Sequence, residues 1–169
     1  MELLAGEPLS VVLQREGPFC EARAYRVIVQ VLKSLIEAHQ KGIVHRDLKP
    51  ENIMLVTIPG EGKDFVKVVD FGIASVAESA GETEPGQISG TAEFMSPEQG
   101  LGRELDSRYD IFSLGVMLYE LSTGRPPFSG ATPTETIDRI NHSQPDAIAR
   151  FNYDAPADLE RIILKCLEK

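Results

Sequence analysis

His45-Arg46-Asp47-Leu48-Lys49-Pro50-Glu51-Asn52 carries the densest set of chemically capable side chains in the sequence. It is a polar octapeptide set between two apolar segments. Transfer of a phosphoryl group to a hydroxyl needs a carboxylate to orient the hydroxyl and accept its proton. It also needs a cation against the charge on the transferred group, and oxygen ligands for Mg²⁺. Asp47 fits the first requirement, Lys49 the second, and the Asn52 amide oxygen the third. A polar loop after a helix can hold any one of these residues by itself, so the weight lies in their joint spacing.

Upstream, residues 21–41 predict an amphipathic helix. Val27, Ile28, Val31, Leu32, Leu35 and Ile36 share one face at helical spacing, and Arg26, Gln30, Lys33, Glu37 and Gln40 take the other. Gly42 is placed to end it. Downstream, residues 53–56 and 65–69 predict two short strands, with Pro59-Gly60-Glu61-Gly62 as the turn between them. The second strand runs into Asp70-Phe71-Gly72. A carboxylate at a strand end can hold Mg²⁺ against phosphates, and the hairpin spacing suits a meeting of Asp70 with the octapeptide around one metal cluster.

Residues 72–97 lose all periodicity, and a loop of that length inside a compact domain is usually functional or mobile. Residues 110–122 then predict a helix apolar almost all round, hence buried, with Asp110 at its opening as an N-terminal cap, a scaffold group, or both. A weaker helix is expected after Pro133. A last one, starting near Pro156, is expected to bury Leu159, Ile162, Ile163, Cys166 and Leu167.

Composition narrows the classes. Apolar residues make up 42% and charged residues 25%, which is a folding composition. The net charge of −9 argues against nucleic-acid binding, which needs clustered Lys and Arg. Two distant cysteines, with no His or Cys at ligand spacing, argue against a zinc site and fit a cytoplasmic setting. No apolar run is long enough to span a membrane, so no membrane contact is expected within this segment.

The octapeptide, Asp70-Phe71-Gly72, Gly90-Thr91, Ser96-Pro97-Glu98 and the run from Ser113 to Phe128 together resemble a Ser/Thr protein kinase of the eukaryotic-like type found in bacteria. The resemblance covers essentially the whole chain. It implies a mainly α fold: the helical C-terminal lobe of a kinase with short β-hairpins and without the N-lobe sheet. Residues 1–8 would be the hinge. It implies ATP and Mg²⁺ as cofactors, with Mn²⁺ as the alternative metal, and proteins with Ser or Thr acceptors as substrates. Asp47 resembles the catalytic Asp, Lys49 the lysine typical of Ser/Thr enzymes, and Thr91 the threonine that braces the catalytic loop. Asn52 and Asp70 resemble the metal ligands. Backbone groups near Glu2 and Leu4 resemble the adenine contacts, Met54 the adenine floor, and Glu7 a ribose neighbour. Asp110 resembles the helix Asp that ties down the loop backbone. His45 and Phe71 resemble members of an apolar stack, with Gly72 closing the metal-binding triplet and Glu98 a structural carboxylate. Arg46 before Asp47 marks, in the family, enzymes switched by phosphorylation, with Ser75, Ser79, Thr83 and Ser89 as candidates here. His39 and His142 receive no role.

The sequence also departs from the family. Ser96 stands where the family has Ala. Neither a glycine-rich phosphate loop nor a strand lysine with its helix glutamate occurs in the 169 residues. The arginine that pairs with the family's counterpart of Glu98 is likewise missing, so Glu98 is expected to lack that partner. Both ends are expected to be truncated, because Met1 to Leu4, apolar except for Glu2, is broken at once by residues 5–8 and the last helical pattern runs to Lys169 uncapped. The isolated chain is therefore expected to show little activity, the longer protein to be an active kinase. A kinase-like scaffold or pseudokinase module is the alternative.

Overall fold

A computed structural model describes residues 5–58, 62–71, 92–100 and 106–169. Helices dominate, with one small antiparallel sheet of order β1-β2-β3 on the side that carries the octapeptide. The strands are β1 (Gly6–Pro8), β2 (Ile53–Ile58) and β3 (Gly62–Val68). Met54 sits opposite Pro8 on one side and Lys67 on the other. Gly6-Glu7-Pro8, expected to break the apolar start and to belong to the hinge, forms a strand. Its proline is tolerated because β1 is an edge. Gly6 is needed there: a Cβ would stand 2.5 Å from the Leu55 carbonyl oxygen.

Helix α1 (Leu9–Glu16) follows at once and was not anticipated; it buries Leu9, Val12 and Leu13. Helix α2 (Glu21–Gln40) buries Ala24, Val27, Ile28, Val31, Leu35 and Ala38. Ile36, expected on that face, is instead 54% exposed. The end of α2 is sharply made. Gly42, at φ 73°, donates to His39 O at 3.0 Å and Ile43 N donates to Ala38 O at 2.9 Å, the paired bonds of a glycine-terminated helix. The turn aims the chain directly at His45.

Helix α3 (Pro97–Gly100) is one turn. Helix α4 (Arg108–Thr123) is buried on nearly every side, as its continuous apolar run predicts. Helix α5 (Pro133–His142) is capped by Thr132, whose hydroxyl accepts from Glu135 N. Helix α6 (Ala157–Cys166) packs on α4 where Gly115 meets Cys166; a Cβ on Gly115 would come within 2.6 Å of Cys166 Cβ. Of the residues expected to be buried by α6, Ile163 and Leu167 are, whereas Ile162 is exposed and Cys166 half-buried.

The core joins α1, α2, α4 and the inner face of β2 and β3. Each fully buried aliphatic side chain contributes about 1.5–3 kcal/mol relative to exposure. The β2–β3 hairpin is docked on α2 by polar contacts as well. Arg23 forks the Asp64 carboxylate, and Gln30 bonds Asp64 O and Val66 N. No helix among the described residues is long and apolar enough to cross a membrane.

Candidate functional site

The loop after α2 owes its shape to a buried carboxylate 65 positions further along the chain. Asp110 is fully buried in the first turn of α4. It does not cap its own helix. Its Oδ2 accepts the His45 backbone N–H at 2.9 Å and its Oδ1 accepts the Arg46 backbone N–H at 2.9 Å. The fork suits the left-handed Arg46 backbone, at φ 66°. That conformation costs a non-glycine residue roughly 1–2 kcal/mol, so the loop needs such an anchor. His39 adds a third bond, donating through Nε2 to Oδ2 at 2.7 Å. A buried carboxylate without such donors would be strongly unfavourable.

His45 is also fully buried. Its Nε2 donates to Val69 O at 2.9 Å, which makes Nδ1 the acceptor for the Asp47 backbone N–H at 3.3 Å. Its ring lies 4.7 Å from that of Phe71, tilted by 50°. One imidazole therefore links the octapeptide to the strand end that carries Asp70.

Asp47 is the focus of the loop. Lys49 Nζ lies 2.8 Å from its Oδ2 and 3.1 Å from its Oδ1. Asn52, itself buried, donates through Nδ2 to Asp47 O at 2.7 Å and to Asp47 Oδ2 at 3.1 Å. With the amide nitrogen so committed, Asn52 presents its oxygen as the remaining ligand atom. Residues Pro50–Asn52 form a single 3₁₀ turn that feeds β2, and Asn52 O accepts Val69 N–H at 2.9 Å. Asp70 follows immediately, exposed and left-handed at φ 56°.

The donor set fits Mg²⁺ rather than a softer metal. It offers one carboxylate and one amide oxygen, and Mg²⁺ characteristically takes one or two protein oxygens and completes its shell with phosphate and water. Among the described residues no group of three or more His, Cys, Asp or Glu could hold a metal by itself.

The other expected residues divide clearly. Met54 lies on β2, half-buried. Glu7 on β1 is gripped by Arg15 of α1 at 2.6 and 2.9 Å, and this guanidinium bond holds its carboxyl below the ordinary range. Glu98 accepts from Ser96 Oγ at 2.6 Å. The Ser that departs from the family thus supplies Glu98 with a donor, and the carboxylate is not bare. Glu2, Leu4, Gly72, Thr91 and the four candidate phosphorylation positions lie outside the described residues.

Three features were not read from the sequence. His39 is one; nothing local distinguishes it, because its partner is 71 positions away. The Gln30 contact with β3 is another. The third is a polar cleft of about 280 Å³ beside Pro50, lined by Glu51, Glu93 and Glu120. Glu120 Oε2 is buried there without a hydrogen-bond partner among the described residues. Burial first, then the like charges of Glu93 and Glu51, push the Glu120 carboxyl up to about 7.

The family model described as the protein kinase domain matches residues 1–169. The serine/threonine-protein kinase pkn3 of Myxococcus xanthus is 44% identical over the whole of this chain. The serine/threonine-protein kinase PknB of Mycobacterium tuberculosis is 39% identical, again over the whole chain. The chain spans 32% of the length of the first protein and 26% of the second. Because the family model matches the chain from end to end, the conclusion is direct: this chain belongs to the protein kinase domain family.

Proposed function

We propose that this chain carries the acceptor-activating and metal-holding part of an ATP-dependent protein Ser/Thr kinase. The observation that carries the reading is the convergence of Lys49 and Asn52 on Asp47, with the Asp70 strand end tied to the same turn through Val69. Asp47 orients a Ser or Thr hydroxyl and takes its proton as the oxygen bonds to the γ-phosphorus. The bond from that phosphorus to the leaving ADP oxygen breaks in the same transfer. Lys49, held at Asp47, places its charge beside the phosphoryl group in flight. Asn52 and Asp70 are the residues to hold Mg²⁺, which when bound neutralises charge on the β- and γ-phosphates.

Asp110, His39 and His45 do not touch the reacting atoms in this reading; they fix the backbone that aims Asp47. Glu7 and Met54, on adjacent strands, belong to the nucleotide side, where Met54 offers an apolar surface to the base. We read the described elements as the helical lobe of the kinase fold, since α1, α2 and α4 build the core and the sheet has three short strands. The phosphate-covering glycine loop and its strand lysine are not among the 169 residues. The isolated chain therefore binds ATP weakly and transfers little phosphate. Phosphoamino-acid analysis of proteins labelled by the full-length protein tests the reading. Phosphoserine and phosphothreonine are expected, and their absence, or phosphotyrosine alone, would contradict it.

A further inference from the structure

Gln30 stands on the face of α2 that the sequence assigns to solvent, yet it is one of the contacts through which α2 holds β3. Its Oε1 accepts the Val66 N–H at 3.1 Å, and its Nε2 donates to Asp64 O at 3.0 Å. β3 is an edge strand of the sheet, and these two backbone groups are bonded by a side chain of α2. One side-chain amide thus makes the two bonds that a peptide unit of a neighbouring strand would make.

Two helical turns earlier, Arg23 grips the same strand. Its Nε donates to Asp64 Oδ2 at 2.8 Å and a terminal nitrogen to Oδ1 at 3.0 Å, a two-pronged arrangement that fixes direction as well as distance. The guanidinium lies 4.0 Å from the centre of the Phe19 ring. Asp64 is left-handed at φ 65°, a conformation that Asp visits more readily than most residues, and Arg23 and Gln30 fix it there.

The consequence lies at the other end of the strand. β3 leads through Val69, bonded to Asn52 and His45, straight to Asp70. The same helix α2, through its glycine-terminated end, leads to His45 and Asp47. The two halves of the proposed metal site are therefore both referred to one rigid element. We propose that Gln30, together with the Arg23–Asp64 pair, is a positioning residue that sets Asp70 at its working distance from Asn52. The inference rests on the reading of Asn52 and Asp70 as metal-holding residues.

The test uses the full-length protein with Gln30→Ala, Gln30→Glu, Arg23→Ala and Asp70→Ala. Two quantities are measured: amide hydrogen exchange at residues 68–70, and the Mg²⁺ concentration at half-maximal phosphotransfer. Gln30→Ala is expected to speed exchange at 68–70 by about tenfold, with α4 amides unaffected. It is also expected to raise the Mg²⁺ midpoint by about tenfold, the size usual for residues that orient a ligand, with the KM for protein substrate unchanged. Gln30→Glu keeps the acceptor for Val66 and loses the donor to Asp64, so it is expected to fall between. Arg23→Ala is expected to move both quantities in the same direction. Faster exchange with an unmoved Mg²⁺ midpoint would make Gln30 a structural clip only and overturn the proposal, as would no change in either. If Asp70→Ala itself leaves the midpoint in place, the metal reading fails and this inference with it.

Discussion

The Asp110 carboxylate accepts the backbone N–H of Arg46 at 2.9 Å, and so holds in place a left-handed residue that directly precedes Asp47. Asp110→Asn keeps the shape and turns one oxygen into an NH₂ that faces donors. It is expected to cost about 2–4 kcal/mol in urea unfolding, since a buried charge-assisted pair is broken and a donor is left unmatched. Phosphotransfer by the full-length protein is expected to fall along with it. A variant with wild-type stability and rate would show that Asp110 does not hold the loop.

His39 supplies the third donor to that carboxylate. His39→Ala is expected to cost about 1–3 kcal/mol, the range for stripping one partner from a buried charged group. His39→Gln, which can present an N–H near the same place, is expected to recover part of it. Equal losses in the two variants would mean that the ring packs and the bond does not matter.

Glu120 makes stability depend on pH with a definite sign. Its folded carboxyl sits near 7 against an ordinary 4.5, so the folded state holds a proton that the unfolded state releases between those values. Stability therefore falls as pH rises from 4.5 through 7, and levels off above. Glu120→Gln is expected to be more stable than wild type at pH 8 by about 2 kcal/mol and to lose most of that advantage by pH 4.5. Denaturant titrations of both proteins at the two pH values check it, and a difference independent of pH would contradict it.

Gly115 lets α6 lie against α4, with Cys166 in the position a side chain would need. Gly115→Ala gains helix propensity but forces the helices apart, and a net loss of about 1–3 kcal/mol is expected. A neutral or stabilising result in thermal melts would show that α6 yields freely.

Much of this arrangement was legible in the sequence, for identifiable reasons. Helix α2 announces itself by a repeating apolar face, and α4 by an apolar run too long for a strand. The octapeptide brings Asp47, Lys49 and Asn52 together because they lie within one turn of chain. What escaped depends on partners distant in sequence. β1 contains Gly6 and Pro8, which have no strand preference, and it exists only because β2 offers it an edge. Helix α1 has eight residues, too few for a periodic signal. Ile36 and Ile162 sit at helical spacing with buried neighbours, yet each falls just off the covered stripe. Gln30 and His39 look like surface polar residues until the hairpin and α4 are in place.

In the proposed transfer, Asp47 accepts the proton of a hydroxyl aimed by this loop. The direct measurement is kcat of the full-length protein with Asp47→Asn at saturating ATP and Mg²⁺, alongside its affinity for ATP. Asn keeps the shape and the bond from Asn52 but cannot take a proton. Asp47→Asn is expected to lower kcat at least about a hundredfold with ATP affinity within about twofold of wild type. A variant that transfers phosphate at the wild-type rate would contradict it.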